Sequence, residues 1–290
     1  MKDITVIIPT YNRAPLLKKA MQSVLGQREK PAEIIIVDDG STDHTQLVVE
    51  ELACSLTKIK YLYQPNRGPA AARNIGIMHA SSDYLAFLDS DDEYHKEKLA
   101  VQFQALRADP EFLVSHTLET WYRRGAHLNQ KKIHMPSHGN IFKACLRLCC
   151  VGMSTVMVRR ELFERYGLFN EALRCCEDYD LWLRVSPFEP FLLIDRRLTI
   201  KHGGRPDQVS KAYKVGMDRF RIQALAELID SNTLTIKQNH LAIEELVRKC
   251  GIYANGCLKH DKEDEADHYL KLAYTIKDHY SDTIGINSDE

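Results

Sequence analysis

Tyr84-Leu85-Ala86-Phe87-Leu88-Asp89-Ser90-Asp91-Asp92 joins an apolar run directly to an acidic cluster. Five apolar residues without alternation read as a strand buried on both faces, the kind that parallel sheets contain. The carboxylates then emerge together at its C-terminal end, where open α/β sheets bind their ligands. Three carboxylates within four positions repel one another unless a cation or basic group offsets them. Hard divalent cations take oxygen ligands, so a Mg²⁺ or Mn²⁺ bridging a carboxylate to a diphosphate accounts for the cluster. The plainer alternative makes Asp91 or Asp92 the N-cap of a helix starting near Glu93, but a cap needs one Asp and not three carboxylates.

Upstream of this stretch, strand and helix signals alternate. Ile4 to Ile8 reads as a strand stopped by Pro9, Pro15 to Leu25 as a helix with Leu16, Leu17, Ala20 and Val24 at helical spacing, and Ile34 to Val37 as a second strand. Asp43 to Leu52 reads as a helix, Lys58 to Tyr63 as a strand, and Pro69 to Ala80 as a helix with proline in its first turn. Repeated β-α units predict a mostly parallel central sheet flanked by helices on both faces.

Downstream the signals are mixed. His95 to Ala108 predicts a helix, Phe112 to Glu119 a strand, Thr155 to Val158 a short strand, Arg160 to Tyr166 and Cys176 to Val185 helices, and Phe191 to Ile194 a strand. Trp121 to Gly139 is polar and basic, with Arg123, Arg124, Lys131 and Lys132. Such a stretch is ordinarily solvated surface, with contact to a phosphorylated acceptor as the weaker reading. From about Asp207 only helices remain, near Val209 to Ser231, Ile236 to Leu258 and Lys262 to Lys277. Cys250, Tyr253, Ala254 and Cys257 share one helix face, and Ala266, Tyr269, Leu270 and Ala273 share another, as in one unrepeated helical hairpin. The division expected is residues 1–206 for the α/β domain and 207–290 for a helical appendage packed on it.

The whole chain suits one large domain with an appendage, since 290 residues can bury a substantial core. With 44% hydrophobic and 27% charged residues, disorder is excluded for most of its length. A net charge of −1 gives no strongly basic surface for nucleic acid. No apolar stretch reaches transmembrane length, and the N-terminus enters a strand, so the expectation is a cytoplasmic protein with peripheral membrane contact left open. The eight cysteines form no paired CxxC arrangement for zinc, and without a secretion signal they read as free thiols.

Several blocks, taken in order, make the chain resemble family 2 glycosyltransferases of the GT-A fold. They are Val6-Ile7-Ile8-Pro9-Thr10-Tyr11-Asn12-Arg13, Ile36-Val37-Asp38-Asp39-Gly40-Ser41-Thr42-Asp43, Asn66-Arg67-Gly68-Pro69-Ala70-Ala71-Ala72-Arg73-Asn74-Ile75-Gly76 and Leu88-Asp89-Ser90-Asp91-Asp92. A fifth, Glu177-Asp178-Tyr179-Asp180-Leu181-Trp182-Leu183-Arg184, resembles the family's acidic catalytic motif. The similarity spans roughly Asp3 to Gly204. It implies a metal-dependent, inverting transferase that moves a sugar from a nucleotide-diphosphate sugar, a UDP-sugar, to the hydroxyl of a glycan, glycolipid or other acceptor, with Mn²⁺ or Mg²⁺ assisting.

The resemblance also assigns residues. Pro9, Thr10 and Tyr11, with Arg13, would border the nucleotide, and Asp39 would recognise the base, with Asp38 either supporting it or serving the turn. Gly68 opens a helix whose free N–H groups and dipole suit an anion, and Arg73 one turn inside it would contact the nucleotide or its phosphates, or else pair with a carboxylate. Asp89 would lie near the ribose, with Ser90 counted among the nucleotide-binding residues. The metal ligand stays open between Asp91 and Asp92, with His202 as a further candidate on a glycine-hinged loop beside Lys201 or Arg205.

Asp178 is the expected catalytic base. At i, i+3, i+4 and i+7 it shares a face with Leu181, Trp182 and Val185, which turns its carboxylate toward protein or cleft. Glu177 and Asp180 are expected to be exposed first-turn acids. The rival readings are a metal-dependent nucleotidyltransferase, which would want a glycine-rich first loop that Pro9-Thr10-Tyr11-Asn12-Arg13 lacks, and an inactive nucleotide-sugar-binding protein, against which Asp89, Asp91 and Asp178 together argue.

Overall fold

The structure is a computed structural model, and it describes residues 3–53, 58–213 and 215–284. Cys54 lies outside these, as does Lys214 in the helix expected from Val209 to Ser231. The first half alternates as the sequence predicts: β1 (Ile4–Thr10), α1 (Ala14–Leu25), β2 (Glu33–Asp38), α2 (Thr45–Leu52), β3 (Lys58–Tyr63), α3 (Pro69–His79) and β4 (Tyr84–Phe87). These four strands are mutually parallel, in the order β3-β2-β1-β4. Ile4, Val6 and Ile8 point into one core with α1, and Ile7 points into the other, so β1 is covered on both faces.

Pro9 does not stop β1. It pairs with Val37, and Thr10 with Asp38. Ile7 O accepts from Leu88 N, so the nitrogens of residues 7 and 9 face β4. Because β4 ends at Phe87, the N–H that proline lacks has no ladder partner to miss.

Beyond β4 come β5 (Glu93–Tyr94), α4 (Lys98–Ala108), β6 (Val114–Arg123), β7 (Ala126–Leu128), α5 (Phe142–Arg147), β8 (Met157–Arg159), α6 (Glu161–Tyr166), α7 (Glu177–Val185) and β9 (Phe191–Gly203). They extend the sheet in the order β4-β8-β6-β9-β5, with antiparallel and parallel neighbours mixed and β7 hairpinned on β6. A strand therefore stands where a helix near Glu93 was considered, and neither Asp91 nor Asp92 caps it.

The largest departure is β9. The expected strand ends at Ile194 because Asp195, Arg196 and Arg197 break the apolar pattern, yet the backbone continues to Gly203 alongside β6. Those three residues are exposed, and Arg196 reaches Glu97. The ladder bulges there: Thr117 pairs with Ile194, Leu118 with Arg197 and Glu119 with Thr199, leaving Asp195, Arg196 and Leu198 without counterparts. Lys201, His202 and Gly203 are consequently strand residues opposite Trp121, Tyr122 and Arg123. Only Gly204 beyond them has the positive φ (92°) of a hinge.

The tail comprises α8 (Val209–Ala212), α9 (Met217–Asp230), α10 (Ile236–Leu258) and α11 (Glu263–Ile284). A complete capping box starts α10, with Thr235 and Gln238 bonding reciprocally. Phe220, Leu225, Ala242 and Leu246 enter the same hydrophobic core as Tyr179, Leu181 and Trp182 of α7. Lys249 donates to Arg147 O at 3.0 Å, which ties α10 to the end of α5.

Candidate active site

The C-terminal ends of β1, β2 and β4 share one edge of the sheet. At β4, oxygens of Asp89, Asp91 and Asp92 converge within 4.8 Å of one another. An all-oxygen set of this kind fits a hard divalent cation. Asp92 is buried and accepts from Ser154 Oγ (2.7 Å) and from the His202 backbone N–H (3.1 Å). Burial, with the neighbouring Asp91 and Asp89 charges, pushes its pKa well above the usual carboxylate range, although Lys201 opposes the shift.

Basic groups offset the cluster. Asp91 pairs with Arg205 and lies 3.6 Å from Arg13, while Arg13 and Arg205 both reach Asp207. Asp89 takes Arg73 Nη2 at 2.7 Å. Burial alone would raise the Asp89 pKa, but Arg73, followed by Lys201 and Arg13, holds it below normal. Ser90 is buried.

Arg73 makes the second of its two possible contacts. Its guanidinium is buried between Asp89 and Glu177 and lies 5.6 Å from the centroid of the Phe169 ring. Burial works against its charge, and the two carboxylates outweigh that, so it stays a cation. Arg73 thereby fastens the end of β4 to the start of α7. Glu177 is accordingly not an exposed first-turn acid; it is 6% exposed, and burial raises its pKa against the pull of Arg73. Asp180 is buried too, paired with Arg184 at 2.8 Å. The helix reading failed here because α7 is packed nearly all round, with no solvent face for these two acids.

Asp178 is the partly exposed acid of the three, and its Oδ1 accepts from Tyr179 N (2.7 Å). Beside it the Cys149 thiol is pushed up first by burial and then by the Asp178 charge. Lys201 feels Glu119 most strongly, then Asp92, Asp89 and Asp178, and all four keep it protonated. One ammonium therefore lies within the field of both the acidic cluster and Asp178.

The expected nucleotide end has its own closed bonding. Asp38 accepts from Ser41 N (2.8 Å) and Tyr61 OH (2.6 Å). Asp39 accepts from Gln64 Nε2 (2.5 Å), Arg67 N (2.8 Å) and Gly68 N (2.8 Å). The anion at the start of α3 is thus Asp39 itself, with Gly68 at φ 95° turning the chain into the helix. Pro9 and Thr10 are buried, and the Thr10 hydroxyl has no hydrogen-bond partner. Tyr11, 46% exposed, presents its ring.

The His202 backbone reaches Asp92, but its imidazole does not join the three converging aspartates. Its Nε2 is 2.9 Å from Glu93 Oε1 and its ring stacks on Tyr122 with centroids 5.8 Å apart. Both rings line a cleft of about 210 Å³ with Asp91, Asp92, Glu93 and Arg205. Neither Asp178 nor Asp39 lines it. Ser154, Arg205 and Glu119 lie outside the motif blocks, and strand register, which is not visible in one sequence, is what brings them in.

An α/β sheet that gathers aspartates at the ends of parallel strands, and fastens them to an acidic helix start, is the frame of GT-A glycosyltransferases. The chain belongs to glycosyl transferase family 2, whose model matches residues 5–167. An uncharacterised glycosyltransferase of Rickettsia conorii is 38% identical over 226 residues, covering 74% of this chain and 35% of the relative. The chain thus spans about a third of that relative's length. Among solved structures, Staphylococcus aureus TarS residues 1–349 with UDP-GlcNAc superposes with a TM-score of 0.65 at 17% identity, covering 99% of this chain and 93% of that one. The mannosyltransferase PcManGT of Pyrobaculum calidifontis, with GDP-Man and Mn²⁺, gives 0.62 at 18%, covering 94% and 86%. At such identities the likeness is one of fold. No helix among the described residues is long and apolar enough to cross a membrane.

Proposed function

We propose that this chain transfers a sugar from a nucleotide-diphosphate sugar, a UDP-sugar, to an acceptor hydroxyl with inversion, assisted by Mn²⁺ or Mg²⁺. The observation that carries this reading is the single ionic chain Asp89-Arg73-Glu177, which sets the metal-suited carboxylates and Asp178 in one rigid frame. The departing diphosphate and the attacking acceptor oxygen, whose proton the base takes, must meet one sugar carbon from opposite sides, and such a frame fixes their separation.

Tyr11, Thr10, Asp38 and Asp39 border the nucleoside. Arg13 and Arg205 stand beside Asp91 and offer guanidinium donors to a diphosphate. A divalent cation held by Asp89, Asp91 and Asp92 would neutralise charge on the departing diphosphate. Asp178 accepts the proton of the acceptor hydroxyl as its oxygen attacks the anomeric carbon from the face opposite the diphosphate. One displacement of this kind inverts the anomeric configuration. Lys201 and Arg73, both charged, keep the acidic site from repelling its anionic substrate.

The test is a screen of nucleotide sugars for protection against thermal unfolding, with and without Mn²⁺, followed by NMR of the product. Metal-dependent stabilisation by a UDP-sugar, release of UDP and an inverted anomer are expected. Asp91→Ala should weaken Mn²⁺-dependent UDP binding by about tenfold or more, read by calorimetry. Pyrophosphate release would instead identify a nucleotidyltransferase. Binding without turnover would identify a nucleotide-sugar-binding protein, and unchanged metal-dependent UDP affinity in both Asp91→Ala and Asp92→Ala would remove the metal assignment.

A further inference from the structure

Two thiols outside the acidic site come together where α5 stops. Cys145 lies in α5 and is buried, and Cys150, just past the end of that helix, is partly exposed. Had α5 continued, Cys149 would be the neighbour of Cys145, one turn on. Instead the helix ends at Arg147 and Leu148 is extended (φ −161°, ψ 163°), which swings the chain back and sets Cys150 Sγ 3.5 Å from Cys145 Sγ. The Cys145 thiol beside it holds the Cys150 pKa below the usual thiol value, while the same contact and burial push Cys145 up. Cys150 is therefore the nucleophile, within reach of a small oxidant, and Cys145 the resolving thiol behind it.

The other thiols do not compete. Cys149 and Cys150 are chain neighbours, as are Cys175 and Cys176, and Cα atoms about 3.8 Å apart across one peptide fall short of the roughly 4.4–6.8 Å that a disulfide spans. Cys250 and Cys257 lie about 10 Å apart along the axis of α10. Metal capture is not the pair's role either, since the group of three metal-suited side chains among the described residues is the aspartates alone. The pair also has a path to the acidic site. Tyr179 OH donates to Leu146 O (2.6 Å) and Trp182 Nε1 to Val151 O (2.9 Å), so α7 holds this segment at both ends. Cys149, inside it, is the thiol that feels Asp178.

We propose that Cys145 and Cys150 are a redox modification site, which a peroxide converts from dithiol to intramolecular disulfide and a thiol reductant restores. Cys150 gives up its proton and its sulfur attacks one peroxide oxygen; the O–O bond breaks, and the departing hydroxide takes that proton as water, leaving Cys150 as a sulfenic acid. The Cys145 sulfur then attacks the Cys150 sulfur, an S–S bond replaces the S–O bond, and the second hydroxide leaves with the Cys145 proton as water. Two thiols lose two electrons and one peroxide gains them. Bonding draws the sulfurs closer than 3.5 Å, and Leu146 and Val151 carry the displacement to the helix that bears Asp178. The disulfide form is therefore the less active one, a consequence that rests on the glycosyltransferase reading, whereas the bond itself does not.

The experiment treats the reduced full chain with hydrogen peroxide, alkylates the remaining thiols and maps its peptides by mass spectrometry without reduction. A Cys145–Cys150 link that dithiothreitol reverses is expected. Cys145→Ser should stop at a Cys150 sulfenic acid that dimedone captures, whereas the buried Cys145 of Cys150→Ser should stay unlabelled. Oxidation should lower sugar transfer by the parent about tenfold or more, the scale of a small misplacement at a reacting centre, and leave the Cys145→Ser/Cys150→Ser double variant within about twofold of its reduced rate. The proposal is overturned if no link forms, if the link joins another pair, or if the oxidised parent transfers sugar as fast as the reduced one. Mapping uses the unsubstituted chain, so it decides the question even if a variant fails to fold. A reduced protein that neither binds UDP or GDP nor transfers sugar would instead sink the glycosyltransferase reading, with the mapped bond unaffected.

Discussion

Asp178 and Glu177 are adjacent acids with different surroundings. Glu177 is buried against Arg73, whereas Asp178 stays partly exposed. Asp178→Asn is therefore expected to keep shape and UDP affinity while lowering transfer by at least about 10²-fold, the lower end of general-base contributions. Glu177→Gln belongs to another class, because it leaves the Arg73 guanidinium with Asp89 alone. Breaking a buried pair costs on the order of 3–5 kcal/mol, so a lowered melting temperature is its expected signature. Parallel transfer assays and thermal melts separate the two. Near-normal transfer by Asp178→Asn would show that the base lies elsewhere. A short motif singles out Asp178 in the sequence as the expected base, but nothing local shows that Glu177 is buried, since its partner is 104 residues away and salt-bridge partners leave no local mark.

At the scale of elements, Glu33 shows how the N-terminal end of the sheet is held. Its side chain, at the start of β2, accepts from Thr5 Oγ1 of β1 (2.9 Å) and from Ser81 N before β4 (2.6 Å), and it pairs with Lys60 of β3 (2.8 Å). Burial would raise its pKa, but Lys60, the Ser81 N–H and the two hydroxyls together bring it down from 4.5 to about 2. A depressed carboxylate pKa stabilises the fold fully above the unfolded value and loses that contribution as pH falls through the folded one. Glu33→Gln should thus be less stable than the parent by up to about 3 kcal/mol near pH 7, with the gap closing between about pH 4.5 and 2. Denaturant melts across that range measure it, and a gap independent of pH would show that the charge contributes nothing. The repeated β-α elements here were legible because each carries its own apolar period and turn residues. The end of β9 was not, because Asp195, Arg196 and Arg197 interrupt a strand whose pairing with β6 continues regardless.

For the whole molecule, the tail is continuous with the core that carries α7. Leu246 of α10 is fully buried in the cluster that includes Tyr179 and Trp182. Leu246→Ala is expected to cost about 2–5 kcal/mol. Because the core is shared, it should lower one cooperative transition of the entire chain and not release a separate early step, as calorimetry at several scan rates would reveal. Two resolved transitions would show that residues 207–290 melt as their own unit. Tail helices were legible from their spacing, α10 to its boundaries, but their attachment was not. Helical periodicity shows which face is apolar and leaves open what covers it.

The bulge in β9 sets the phase of everything after it. Asp195, Arg196 and Leu198 are three residues without counterparts, an odd number, and side chains alternate with a period of two. Had they been paired one for one with β6 instead of bulging out, every later residue would face the opposite wall: Lys201 would look toward Glu93 and the cleft, and the His202 imidazole toward Glu119. The three unmatched residues thus act as a parity bit, deciding which face of the sheet receives an ammonium and which receives an aromatic ring. Pairing them in regular register would exchange the chemistry of the two faces without altering any residue on either.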